Sequence, residues 1–242
     1  MLARDTAITF LGHATLLVET PGHKRLLIDP WLRSNPACPA EWHSPSRLGK
    51  LDAILVTHLH ADHVADFEEV IQANPDATVV GIIETVRFLT KKGAKKTEQL
   101  NIGGSILFDG IRITLTQAVH SNGGEDAHGN MVYGGFPTGF ILKMENGFTF
   151  YVASDTGVFG DMALLKEIYA PELAFLPIGD RFTMGPLEAA HATKLLGVRH
   201  VVPYHYNSMP MLTGTVEEFQ KHLRELLVNV NVHILQPGET LK

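Results

Sequence analysis

Three histidines and a carboxylate lie within one short stretch of the chain: His58, His60, Asp62 and His63. Neutral imidazole and carboxylate are the usual protein ligands of a hydrolytic metal ion, with zinc as the first candidate. Side chains alternate along an extended segment, so His58 and His60 point the same way and can hold one metal together. Asp62 and His63 follow and can serve a second ion beside it. The spacing therefore predicts metal-dependent chemistry here.

The element before this cluster is predicted to be a buried strand, because residues 53–56 form an apolar run with β-branched members. After the cluster, apolar residues recur at helical spacing from Val64 to Ile71, which predicts a helix to about Gln72. The histidines thus lie on a strand-to-helix turn, where a rigid strand end can hold converging side chains. The alternative is a histidine-rich surface loop, but such a tract would not be expected at this junction.

Three further candidates, His120, Asp155 and His205, each lie just past the end of a predicted strand. A sheet gathers such residues along one edge, where this class of fold would place a site. Taken singly, a histidine or aspartate after a strand is more often a turn or cap residue than a ligand.

The run His58-Leu59-His60-Ala61-Asp62-His63 is similar to the HxHxDH signature of the metallo-β-lactamase superfamily. The resemblance implies an α/β (α+β) fold, built as a four-layer αββα sandwich. It also implies the ligand sets: His58, His60 and His120 for one metal, Asp62, His63 and His205 for a second, and Asp155 as the bridge between them.

The order of elements is compatible with this fold, because strand meanders alternate with helices in each half of the 242 residues. Two sheets packed face to face with helices outside account for that order. No low-complexity linker divides the chain, so we predict one hydrolase domain over residues 1–242. Long loops are expected at 31–50 and 121–135, and a last strand at 232–235.

The residue types at two positions indicate which branch of the superfamily the chain resembles. Position 60 is His, where redox di-iron relatives are expected to carry a carboxylate, and position 155 is Asp, where several true β-lactamases have Cys. Residues 12–15 and 182–189 resemble the small bacterial metal-dependent hydrolases related to ascorbate-phosphate lactonase. These features favour a hydrolase with a water or hydroxide between two ions.

The predicted function is a metal-dependent hydrolase. Two divalent cations would lower the pKa of a bridging water, so that hydroxide exists near neutral pH. The hydroxide would cleave an ester, lactone or phosphodiester bond, and Asp155 and Asp62 would orient it and take the proton. Zinc is the first candidate metal, and manganese, nickel and iron stay open. A mononuclear iron redox enzyme of the same fold and a non-catalytic metal-binding module are the alternative hypotheses.

Five residues are candidates for roles around the metals or substrate: His13, Asp29, Arg33, Asp180 and Arg181. His13 could approach the metals, or be a satisfied core histidine. Asp29 could orient a metal-bound histidine, or form a turn. Arg33 or Arg181 could bind an anionic group, although a solvated arginine is the default. Asp180 lies on the same predicted loop as Arg181.

Net charge, the length of apolar runs and the cysteine count limit which partners and which cellular compartment are expected. A net charge of −6 does not favour nucleic acid or an anionic membrane. No apolar run approaches the ~20 residues of a membrane span, and the first residues lack the apolar core of a signal peptide. The single cysteine, Cys38, fits a reducing compartment. We therefore predict a cytoplasmic enzyme acting on a small, anionic molecule, and the sequence leaves a homo-oligomer open.

Overall fold

Two seven-stranded sheets form the centre of the protein in a computed structural model that describes residues 2–242. The strands are β1 (Ala7–Phe10), β2 (Leu16–Glu19), β3 (Arg25–Ile28), β4 (Ala53–Leu55), β5 (Thr78–Ile82), β6 (Lys96–Leu100), β7 (Ser105–Phe108), β8 (Ile111–Gln117), β9 (Gly123–Glu125), β10 (Met131–Tyr133), β11 (Thr138–Lys143), β12 (Thr149–Val152), β13 (Leu173–Pro177), β14 (His200–Tyr204), β15 (Asn231–Val232) and β16 (Thr240–Leu241).

Six α-helices are described in residues 2–242, together with short 3-10 helices at Ala40–Trp42 and Pro45–Leu48. They are α1 (Ala61–Val64), α2 (Phe67–Ala73), α3 (Ile83–Lys91), α4 (Met162–Tyr169), α5 (Pro186–Leu196) and α6 (Val216–Glu225). Within the same residues, no helix combines the length and the apolar character that crossing a membrane requires.

Each sheet joins an antiparallel meander to a set of parallel strands. The first sheet has the order β16-β1-β2-β3-β4-β5-β6, and its strands from β3 to β6 are parallel. The second has the order β15-β14-β13-β12-β11-β8-β7, and its strands from β12 to β15 are parallel. Strands β9 and β10 form a separate antiparallel hairpin.

The core is divided into three apolar clusters, one between the sheets and one under each set of helices. Strand β4 shows why the core is divided, because its successive side chains point to opposite faces of the sheet. Ala53 and Leu55 face the other sheet, whereas Ile54 faces the helices of the first half. Because both faces of such a strand are buried, it reads as a continuous apolar run in the sequence. The predicted four-layer αββα sandwich is confirmed by this layering.

The turns after four strands carry candidate ligands. His58 follows β4, His120 follows β8, Asp155 follows β12 and His205 follows β14. The two halves therefore each place candidate ligands at the ends of their strands, which is the position that the sequence predicted for them.

The helix predicted to run unbroken to about Gln72 is divided into α1 and α2. Asp66 causes the break, because its backbone N–H donates to Pro30 at 3.1 Å and its carboxylate accepts from the N–H of Leu32 at 2.5 Å. These bonds fasten the loop after β3 to the start of α2.

Other differences concern short or polar elements. The expected loop at 121–135 contains the hairpin β9–β10, and the expected loop at 31–50 contains the two 3-10 helices. The last predicted strand is reduced to Asn231–Val232, and β16 pairs with β1 at the sheet margin. The edge strand β6 is mostly exposed, so it lacks the apolar pattern that predicts a strand.

Candidate metal centre

The first predicted ligand set is assembled on the turn after β4. His60 Nδ1 lies 3.0 Å from His58 Nε2 and 3.2 Å from His120 Nε2. His60 has an extended backbone, with φ −62° and ψ 146°, so the alternation that aims His58 and His60 at one point is present. These three nitrogens lie within 4.8 Å of one another and could hold one metal ion.

The tautomer of His58 follows from its neighbours. The hydroxyl of Thr57 donates to Asp29 Oδ2 at 2.7 Å, because a carboxylate can only accept. The same hydroxyl oxygen lies 3.0 Å from His58 Nδ1 and therefore accepts from it. Burial holds the pKa of His58 well below its ordinary value, so the ring is neutral. His58 Nε2 thus carries a lone pair, as a metal ligand requires.

The second ligand set converges on the Asp155 carboxylate. His63 Nε2 lies 3.2 Å from Asp155 Oδ1, and His205 Nε2 lies 3.0 Å from Asp155 Oδ2. Asp62 Oδ2 lies 3.9 Å from His205 Nε2. Asp155 Oδ2 is also 3.6 Å from His120 Nε2 in the first set. The carboxylate of Asp155 therefore lies between the two groups of nitrogens, where a bridging ligand is predicted.

Several of these buried atoms are close without being aligned for hydrogen bonds. Within residues 2–242, His63 Nε2, His205 Nε2 and Asp155 Oδ1 have no hydrogen-bond partner. A buried polar atom left unpaired costs about 1–3 kcal/mol. Imidazole nitrogen and carboxylate oxygen are ligands that zinc and related divalent cations accept. The donor set therefore fits a metal ion at its centre.

Asp29 makes the contact that the sequence predicted for it. Its Oδ2 lies 2.8 Å from His63 Nδ1, and both side chains are buried. A carboxylate on the far nitrogen of a ligand histidine fixes its ring orientation and raises its basicity.

His13 contacts the second ligand set and a serine that the sequence did not single out. Its Nε2 lies 3.1 Å from Asp62 Oδ2, and its Nδ1 lies 2.6 Å from Ser208 Oγ. Because the Asp62 carboxylate accepts, His13 Nε2 carries the hydrogen and the Ser208 hydroxyl donates to Nδ1. The backbone oxygen of His13 also accepts from the N–H of His205 at 2.8 Å.

The charges of the cluster are set by burial and by close neighbours. Burial would raise the pKa of Asp155, but His205 and His63 hold it well below its usual value. Burial would lower the pKa of His63, but Asp155 and Asp29 hold it well above its usual value. Burial is also the main cause that lowers the pKa of His13 to about 4. Asp155 is therefore a carboxylate and His13 is neutral at pH 7.

The backbone of the ligand turns is strained. His13, Asp29 and His205 have φ values of 55°, 52° and 53°. A non-glycine residue in this left-handed region costs roughly 1–2 kcal/mol. Such conformations concentrate at functional sites, where the surrounding structure holds them.

The loop arginines and Asp180 are not part of this cluster. Arg33 is 62% exposed and donates to Glu69 at 2.6 Å. Asp180 Oδ1 accepts from the N–H of Arg181, whose guanidinium lies 5.5 Å from the ring centre of Phe182. Their roles toward a substrate stay predictions.

Asn122 is a positioning residue that sequence reasoning missed. Its Oδ1 accepts from the N–H of Leu59, between the first two histidines, at 2.9 Å. Its Nδ2 donates to Gly134 O at 2.7 Å and to Thr85 Oγ1 at 3.1 Å. The one signal in the sequence is its place shortly after His120, before a glycine pair.

Comparisons with known proteins agree with this geometry. Residues 24–206 match the family described as "Beta-lactamase superfamily domain". A UPF0173 metal-dependent hydrolase of Rubrobacter xylanophilus is 48% identical, over 98% of this chain and 96% of that protein. A UPF0173 metal-dependent hydrolase of Roseiflexus castenholzii is 43% identical, over 99% of this chain and 98% of that protein. The metallo hydrolase Igni18 of Ignicoccus hospitalis superposes with a TM-score of 0.84 at 35% identity, covering 98% of this chain and 97% of its own.

The two packed sheets and the histidines that converge at their strand ends agree with this family match. The chain belongs to the β-lactamase superfamily. Its relatives carry the name UPF0173 metal-dependent hydrolase. The predicted enzyme class, a metal-dependent hydrolase, is confirmed by these relatives. The relation to ascorbate-phosphate lactonase stays a prediction.

Proposed function

We propose that the protein is a two-metal hydrolase that cleaves an ester, lactone or phosphodiester bond of a small molecule. The observation that carries the proposal is the position of Asp155. Its Oδ1 lies 3.2 Å from His63 Nε2 of one set, and its Oδ2 lies 3.6 Å from His120 Nε2 of the other. A carboxylate in this place can serve two cations at once.

The chain's own residues have separate tasks in this proposal. His58, His60 and His120 would hold one cation, Asp62, His63 and His205 the other, and Asp155 both. When bound, two divalent cations lower the pKa of water to near neutrality and polarise a substrate oxygen.

Asp62 is placed to take the proton. Its side chain is 26% exposed, whereas that of Asp155 is 3% exposed. Asp62 therefore faces the side from which water and substrate arrive. Its Oδ2 accepts from His13 Nε2 at 3.1 Å, which fixes the orientation of this carboxylate.

The donor types favour zinc first and leave manganese, nickel and iron open, because all seven candidates are imidazoles or carboxylates. Cys38 lies outside the candidate ligand groups of the described residues, and burial raises the pKa of its thiol to about 12. We also infer a cytoplasmic setting from this lone cysteine, and a small-molecule substrate rather than nucleic acid from the net charge of −6.

The test compares Asp155→Asn with Asp161→Asn, which neutralises an exposed carboxylate outside the cluster. The substrates are bis(p-nitrophenyl) phosphate, a phosphorylated sugar lactone, a neutral lactone and a cephalosporin. We expect the wild type to cleave at least one of them in a chelator-sensitive way. Asp155→Asn should lower kcat by roughly a hundredfold or more while folded protein remains, and Asp161→Asn should not. Full activity in Asp155→Asn would contradict the bridging role.

Oxygen uptake and iron content, measured on the same preparations, distinguish the alternative. Oxygen consumption that depends on a single bound iron would favour the redox enzyme over the hydrolase.

A further inference from the structure

A groove of about 450 Å³ lies directly beside the metal-binding turn. One wall is α1 with the turn before it, the second is the end of α3 at Phe88, and the third is the hairpin β9–β10 at Met131. His60 lines the groove while its Nδ1 belongs to the first ligand set. The groove therefore borders the candidate metal centre at His60, and its size suits a small-molecule group.

The groove is lined by both apolar and polar side chains, and the apolar share is the larger one. Leu59, Val64, Phe88 and Met131 contribute apolar side chains. Lys92 is the one lysine or arginine among the described residues that line it. Its ammonium is not free, because it lies 2.5 Å from Glu68 Oε1 and 5.3 Å from the ring centre of Phe88.

Carboxylates complete the charge pattern. Glu125 on the hairpin lines the groove, in addition to the paired Glu68. The ionised lining groups thus carry more negative than positive charge, and the one lysine among them is already paired with Glu68, so the described lining residues offer no unpaired cation to an anionic group. An uncharged apolar group would lose water-exposed surface against the side chains of the floor, which is favourable.

The groove is held open by fixed contacts. A side chain at Gly124 would place its Cβ 3.2 Å from Leu59 Cβ, so the hairpin packs closely on the floor because glycine is present there. Asn122 links the same Leu59 backbone to Gly134 at the other end of the hairpin. A cavity formed in advance binds a ligand without paying to order its walls.

The outer wall is open to solvent and apolar. Met131 is 76% exposed, although it is a large apolar side chain. A ligand in the groove would cover part of this surface and would enter from the solvent side without passing the buried ligands.

We propose that this groove binds an uncharged, apolar substituent of the substrate, of the size of a short acyl chain or an aromatic ring. The inference rests on the proposed two-metal function, because the substituent is placed there by a scissile carbonyl or phosphoryl group at the metal centre. Any negative charge of the substrate then lies at the reacting group, and not in this groove. The anionic substrate that the sequence predicts, with loop arginines that could bind it, stays a prediction, and an apolar arm in the groove is compatible with negative charge at the reacting group.

The experiment uses hydroxamic acids, whose head group binds metal ions and whose tail length can be varied. Acetohydroxamic acid and hexanohydroxamic acid are titrated into the metal-loaded protein by calorimetry. A buried methylene improves affinity by up to roughly fourfold. We expect hexanohydroxamic acid to bind the wild type at least about tenfold more tightly than acetohydroxamic acid.

Two matched variants locate the effect. Ala65→Phe fills the groove from an exposed alanine that lines it. Ala73→Phe adds the same ring at an exposed alanine at the end of α2, outside the groove. Ala65→Phe should bind acetohydroxamic acid as the wild type does but lose the gain from the longer tail, and Ala73→Phe should keep that gain.

The outcomes separate the two proposals. Binding of acetohydroxamic acid with no gain for the longer tail, or a gain that survives Ala65→Phe, would overturn the groove and leave the metal centre standing. A failure of both hydroxamates to bind would overturn the metal centre and the groove together. If Ala65→Phe instead changes only the molar mass measured by light scattering, the groove is a contact between copies and the proposal is wrong.

Discussion

Asp29 contacts one histidine from each ligand set, directly in one case and through a hydroxyl in the other. Its Oδ2 lies 2.8 Å from His63 Nδ1. The same oxygen accepts from Thr57 Oγ1 at 2.7 Å, and that hydroxyl lies 3.0 Å from His58 Nδ1. One buried carboxylate therefore sets the tautomers of two ligand histidines.

Replacing Asp29 with Asn should weaken metal binding about 10–100-fold, the usual effect of losing such a partner. The amide keeps the shape but loses the charge that stabilises the N–H of His63. Competition with a chromogenic chelator measures the affinity, and Asp161→Asn is the control. Wild-type affinity in Asp29→Asn would show that the carboxylate has no influence on the metals.

His13 is expected to position Asp62 through its Nε2–H, which lies 3.1 Å from Asp62 Oδ2. His13→Ala should weaken the second metal by roughly tenfold or more. His13→Gln should restore much of that affinity, because its amide can also donate. Ser208→Ala should have a smaller effect, since it removes only the bond to His13 Nδ1.

The measurement is metal affinity by chelator competition, independent of turnover. If His13→Gln is as weak as His13→Ala, His13 would instead be a metal ligand itself, which its membership of a group with Asp62, His63 and His205 allows.

Asn122→Ala should destabilise the protein. The change leaves the buried Leu59 N–H and Gly134 O without this partner. We expect a loss of about 2–4 kcal/mol in the free energy of unfolding and a fall in Tm of roughly 5–15 °C. Asn101→Ala is the control, because that exposed side chain accepts only from the next residue. Equal Tm values for both variants would argue against the role of Asn122.

Arg33→Ala should leave the KM for bis(p-nitrophenyl) phosphate within about twofold of the wild type. Its guanidinium is exposed and already paired with Glu69, and such surface pairs contribute little. Arg181→Ala, measured in parallel, tests the other predicted arginine. A clear rise in KM for Arg33→Ala alone would instead support the anion-binding role that the sequence suggested for this arginine.

The strand-to-helix turn that carries His58, His60, Asp62 and His63 was predictable, because these residues are close in the chain and follow a clear strand pattern. Their role as metal ligands stays a prediction. His120, Asp155 and His205 were found through the same rule, since each follows a strand. The four layers were predictable for a related reason, because strands buried on both faces are continuously apolar.

Contacts between distant segments were not predictable in the same way. Ser208 meets His13 across 195 positions, and no local pattern marks either side of that pair. The two-residue strand β16 and the polar strand β6 depend on their pairing partners rather than on their own composition. The break at Asp66 arises from bonds to the loop after β3, which helical periodicity does not reveal.

The most direct test of the two-metal account is the number of metal ions per chain. Protein purified without chelator is analysed by inductively coupled plasma mass spectrometry, beside the variants His120→Ala and His205→Ala. We predict a ratio near two for the wild type, because seven candidate ligands exceed the needs of one tetrahedral zinc, and a ratio near one for each variant. A wild-type ratio that stays near one, with Asp62, His63 and His205 replaceable without loss of activity, would contradict the account.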